Sequence, residues 1–156
     1  MSLALAACAA PSTEYPSLAI RDAERLVDAP AESTTPSPPA AIPASVLAQA
    51  DSYLDRAFAA DQKFRDASPR VSRIVNAARG AAVASDRWSD AQVAMTDLDA
   101  QRVVTATALA DLDALYAGLA IELQRRDQID DMRQAVAGML AEQDATIARL
   151  TSQLRQ

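Results

Sequence analysis

The chain has 156 residues, half of them apolar but only 4% aromatic, with a formal net charge of −6 and a pI near 4.6. Alanine dominates the apolar share, and it forms helices well but buries little area, which excludes a thick globular core and points to long helices meeting along narrow seams. The densest basic spot is "QRR" at 124–126, so no nucleic-acid partner is expected. Histidine is absent, which removes the usual general base, metal ligand and pH switch together.

The N-terminal stretch "LALAACAAPSTEYP", residues 3–16, contains Cys8, the single cysteine, at the end of a Leu/Ala run. Proline-rich sequence follows at once. Seven of the eight prolines lie between Pro11 and Pro43 among Ser, Thr and Ala, as in "PAESTTPSPPAAIP" at 30–43. Such composition cannot continue a helix and has too few large apolar groups to fold alone. Residues 8–43 are therefore expected to be a disordered, partly extended linker. At roughly 3.1 Å per residue, about thirty residues would reach on the order of 90 Å when fully extended.

From Ala44 the composition turns helical. Val46, Ala50, Tyr53, Ala57, Ala60, Phe64, Ala67, Val71, Ile74, Ala78 and Ala81 step by four and three without a miss, the seam of a coiled-coil helix. Pro69 lies inside this run but the register is the same on both sides, so one kinked helix, or two stacked end to end, is expected. Gly80 and "ASDRWSDAQ" at 84–92 end the element, with Ser85, Asp86 or Ser89 available as the next N-cap.

A second seam runs through Met95, Leu98, Thr105, Leu109, Leu112, Tyr116, Leu119 and Leu123, with Arg102 at one of its positions. The "DLDA" repeat at 97–100 and 111–114, two heptads apart, supports this register and places Leu98 and Leu112 inward with flanking aspartates. After Leu123 the phase slips by one position, and Ile129, Met132, Val136, Met139 or Leu140, Ile147, Leu150 and Leu154 form a third set. A turn near 120–127 gives three helices of similar length, and a stutter gives one very long helix instead. The similar lengths favour an all-α antiparallel three-helix bundle or coiled coil, with helices at about 44–83, 86–120 and 125–155, although "ELQRRDQ" contains no strong breaker.

Candidate chemistry is sparse. Asp97 with Asp99, Asp111 with Asp113, and Asp127 with Asp130 and Asp131 are the acidic groupings to test as catalytic or metal sites. Helical residues two apart do not share a face, and Asp97 and Asp111 are about 21 Å apart along an axis. These carboxylates are expected to flank the seams and pair with arginine, leaving no catalytic residue, no metal site and no cofactor. Lys63 is the sole lysine and has no serine motif beside it. Trp88 is expected to cover the end of its own bundle, and Arg102 to act on register or extend its head to solvent.

"LAAC" at Leu5–Cys8 resembles the lipobox of bacterial lipoproteins: a branched apolar residue, two small residues, then cysteine. The resemblance implies that residues 1–7 are the remnant of a signal peptide whose start lies upstream. It further implies that Cys8 is the lipid attachment site and becomes the first residue of the mature chain. Ala9 rather than Asp after the cysteine implies the outer membrane in the enteric sorting pattern. The helical remainder is similar to small Ala-rich lipoproteins and, broadly, to murein-type lipoproteins. The ending "LTSQLRQ" lacks the lysine those use for wall attachment, and Leu154 stands where a periplasmic helical chaperone family has the glutamine of its L-T-x-x-Q motif.

The expectation is a lipid-anchored envelope protein: 8–43 as anchor and linker, 44–156 as a non-catalytic helical module, and partners met through the acyl chains on Cys8 and through the helical seams, in hetero- or homo-oligomers. An unlipidated intracellular coiled-coil adaptor is the alternative, and a carboxylate-dependent hydrolase would need distant aspartates to converge.

Overall fold

The structure, a computed structural model, describes residues 38–155, so Cys8 and most of the expected linker lie outside the described residues. Three helices follow one another: α1 (Ala44–Ala77), α2 (Asp86–Ile121) and α3 (Asp127–Leu154). Each packs against the other two. The early part of α1 meets the late part of α2 and the start of α3, which makes the bundle antiparallel from one helix to the next. The architecture is the three-helix bundle favoured by the similar lengths of the three seams, and the turn between α2 and α3 excludes the stutter.

Every expected seam position of α1 from Val46 to Ala81 is buried or half-buried. α1 runs through Pro69 as one helix, with Pro69 exposed on its surface. The expected end at 83 needs correction, since α1 stops at Ala77. Gly80 takes a left-handed φ of +70°, which turns the chain, and Val83 is exposed in the connection to α2. Ser85 then caps α2, its Oγ accepting from the Trp88 N–H at 3.4 Å.

The turn into α3 has a defined geometry without glycine or proline. The Gln124 N–H donates to the Leu119 carbonyl at 3.0 Å and the Leu123 N–H to the Ala120 carbonyl at 3.3 Å, with Leu123 at φ +54°. This is the Schellman pattern, with leucine in the left-handed position that glycine usually fills. Leu123 was expected on the second seam, but it is 79% exposed because that position closes the helix instead of continuing it. Arg126 and Arg133 lie over the Tyr116 ring at 4.7 and 4.4 Å and tie the turn to both helices.

Residues 38–43, expected in the linker, run along the domain. The Arg125 N–H donates to the Ala40 carbonyl at 2.8 Å, and Ile42 packs beside Val46 and Leu47 at the same end of the bundle. The approach to α1 is thus held against the α2–α3 turn.

Two apolar clusters form the core. One joins Phe64, Val71, Val75 and Ala78 of α1 and its end to Ala91, Ala94 and Leu98 of α2 and Leu150 of α3. The other joins Ala50 and Ala57 to Ala108, Leu112, Leu119, Ile129 and Val136. Buried alanines on α1 and α2 permit a close helix approach, while leucine, isoleucine and valine supply most of the buried volume.

Candidate functional site

Between the two apolar clusters lies a buried polar layer with one residue from each helix. Gln143 Nε2 donates to Asp61 Oδ1 at 3.0 Å and to Thr105 Oγ1 at 3.2 Å. Thr105 in turn donates to the Gln101 carbonyl, and Arg65, one turn beyond Asp61 and at the surface, reaches Asp61 Oδ2 at 2.6 Å. Asp61, Thr105 and Gln143 are all buried, and Gln143 Oε1 has no partner among the described residues. The charge of Asp61 is thereby held by one guanidinium at the rim and one amide in the interior.

Such a layer can fix alignment. Sliding one helix by a heptad would place a carboxylate or carboxamide against leucine and leave it unpaired, at a cost of about 1–3 kcal/mol or more for a charged group. Of the three residues, only Thr105 was anticipated on a seam. Gln143 occupies the seam step between Met139 or Leu140 and Ile147 that carries no apolar residue, and that gap is its sequence signal. Asp61 has none, since it sits one position past Ala60.

The expected acidic groupings are distributed around this core. In the second "DLDA", Leu112 is fully buried while Asp111 pairs with Arg56 of α1 and Asp113 with Arg133 of α3, the latter at 2.5 Å. The aspartates flank the seam as expected, one reaching each neighbouring helix. Asp130 meets the same Arg133 at 2.7 Å, and Asp127 pairs with Arg125 at 3.1 Å. Asp113 and Asp130 are therefore brought together, with the guanidinium of Arg133 between them to offset part of their charge. Asp97 and Asp99 lie on the exposed side of α2, and Asp99 has only a 3.9 Å contact to Arg102. Among the described residues no three Asp, Glu, Cys or His side chains are grouped to hold a metal ion.

Arg102 is half-buried at the edge of its seam and donates from Nε to Asp144 of α3. This hydrogen bond raises the guanidinium above its ordinary value, against the opposing effect of partial burial. Arg133 is raised in the same way, chiefly by its hydrogen bond to Asp113. Both arginines act as clips between α2 and α3. Trp88 lies half-buried at the other end of the bundle, lining a recess with Gly80, Ala81, Val83, Leu154 and Arg155.

No family model, curated protein or solved structure matches this chain. The fold and the polar layer define a three-helix bundle whose most organised polar groups hold helices to one another.

Proposed function

We propose that this is a lipid-anchored protein of the bacterial cell envelope whose three-helix domain is a non-catalytic structural or protein-interaction module. The observation that carries the reading is "LAAC" at Leu5–Cys8, followed directly by the Pro/Ser-rich stretch and then by a folded helical domain. One buried acyl chain, at about 0.8 kcal/mol per CH₂, holds a protein only marginally, whereas two or more hold it durably. The acidic domain then needs no basic patch to stay at the membrane. The pairing of Asp111, Asp113, Asp127 and Asp130 with arginines supports a scaffold over a carboxylate-dependent hydrolase.

The test is labelling with palmitate in the native host, using the gene with its natural upstream region. Label on the protein and sedimentation with membranes, both abolished by Cys8→Ala, are expected. A soluble, unlabelled product would replace this reading with the intracellular adaptor.

A further inference from the structure

The turn from α2 into α3 is made by residues that favour helix. "AIELQRRDQ" at 120–128 holds no glycine or proline, and most of its residues are strong helix formers. Leu123 nevertheless takes the left-handed φ of +54°, which a residue with a Cβ resists. The charges beside the break also have the wrong signs for two separate helices. Glu122, the C-cap of α2, lies where the helix dipole favours a cation, and no basic residue stands in that last turn. Arg125 and Arg126 stand at the start of α3, where the dipole favours an anion. Asp127 and Asp130 answer them in the first turn, but no side chain among the described residues caps the helix.

A continuous helix removes these conflicts. Leu123 becomes right-handed and follows Leu119 by four, continuing the buried seam instead of standing 79% exposed. Glu122 and Arg126 become an i,i+4 pair in the favourable order, acid first. The Arg125 N–H, which in the turn donates to the Ala40 carbonyl, donates instead to the Ile121 carbonyl of its own helix. A single chain cannot straighten here and keep its core, because Ile129, Val136 and Leu150 would leave the two apolar clusters and Gln143 would leave Asp61. A second copy supplies those partners, since its own α3 has left the same positions. A short, strained hinge between two helices that share one core is the arrangement from which domain exchange proceeds.

We infer that the α2–α3 turn is a hinge through which two copies of this chain exchange α3. In the exchanged dimer α2 and α3 of each copy form one helix, and α3 packs against α1 and α2 of the other copy. Residues 38–43 are the latch of the closed form: the Ala40 carbonyl holds the Arg125 amide, and Ile42 packs beside Val46 and Leu47. Arg126 over the Tyr116 ring at 4.7 Å belongs to the closed form as well. The balance between the two forms is set by the concentration of the chain itself. The inference goes beyond the proposed function and is independent of lipidation at Cys8.

The test uses the full 156-residue chain, refolded from urea at micromolar and at near-millimolar concentration. Val103→Cys and Ala141→Cys, both at exposed positions, carry spin labels in a Cys8→Ser background. Dilution with excess unlabelled chain restricts the measured distance to one chain. In the closed form the contact between Arg102 and Asp144 keeps the two positions level on neighbouring helices. In the fused helix they lie thirty-eight residues apart, about 57 Å at 1.5 Å per residue. Sedimentation is expected to show a monomer from the dilute sample and a dimer from the concentrated one, with the long distance in the dimer alone. Leu123→Gly, which suits the left-handed turn and weakens a continuous helix, should lower the dimer association constant at least tenfold. Ile42→Ala, which loosens the latch outside any helix, should raise it at least threefold with unchanged circular dichroism. A chain that stays monomeric at both concentrations overturns the inference, as does a dimer insensitive to either substitution. A dimer that keeps the short distance also overturns it, and would assign association to the outer faces of closed bundles. None of these readouts depends on palmitate labelling.

Discussion

Gln143 of α3 donates to the Asp61 carboxylate of α1 at 3.0 Å across 82 positions of sequence, and the two apolar clusters lie on either side of this contact. Gln143→Leu would leave Asp61 with Arg65 alone and cost roughly 1–3 kcal/mol of stability in urea unfolding. Adding Asp61→Leu should recover much of that loss, because an apolar pair removes the buried charge together with its need for a partner. The double variant is then expected to lose alignment more than stability, seen as broadened amide resonances. A double variant that stays as unstable as Gln143→Leu would contradict the layer's role.

Leu123→Gly should stabilise the domain by about 1 kcal/mol, since a left-handed φ of +54° costs a residue with a Cβ that much and the exposed leucine side chain loses little contact. Thermal unfolding checks it. A lower melting temperature would mean that Leu123 contributes contacts the turn geometry does not require.

Pro69→Ala should raise stability by about 1–3 kcal/mol. Proline inside a helix removes the hydrogen bond to the carbonyl four residues back, a cost of roughly 3 kcal/mol, which its stiffening of the unfolded chain offsets by about 0.4–1 kcal/mol. Pro69 is exposed, so the alanine meets no crowding. Chemical denaturation of the two proteins measures the difference.

The "DLDA" repeat separates core from border. Leu112→Ala should cost about 2–5 kcal/mol, because the side chain is fully buried. Asp111→Asn should cost less than about 1 kcal/mol and less still at high salt, as expected of a half-exposed ion pair. Arg102→Gln belongs with the second group. Its guanidinium is raised in the folded state, so its contribution is complete below the ordinary arginine value and is lost only as pH rises through the folded one. Unfolding between pH 6 and 9 should therefore show no titration attributable to Arg102.

Much of this fold is legible in apolar spacing, because a heptad seam is a local property: Ala50, Phe64 and Val71 reveal their burial by their neighbours three and four residues away. Leu98 and Leu112 were readable from the repeat. The end of α1 was not, since the apolar period continues to Ala81 while Gly80 turns the backbone, and burial outside a helix follows the same apolar pattern. Leu123 misled for the related reason that a left-handed cap is a backbone event that leucine does not announce. The polar layer was readable only in part. Gln143 shows as a gap in a seam, whereas Asp61 is recognisable only once α3 lies against α1. The exposed positions Val93, Ala100, Val103, Ala110, Ala114 and Ala117 of α2 are also spaced by three and four or their sums, so deciding which of two seams faces the core takes the packed structure.

The central claim is tested most directly by intact mass spectrometry of the protein purified from native membranes. A chain beginning at Cys8, with a diacylglyceryl group on its sulfur and an acyl group on its amine, is expected. A chain that retains residues before Cys8 and an unmodified thiol would contradict it.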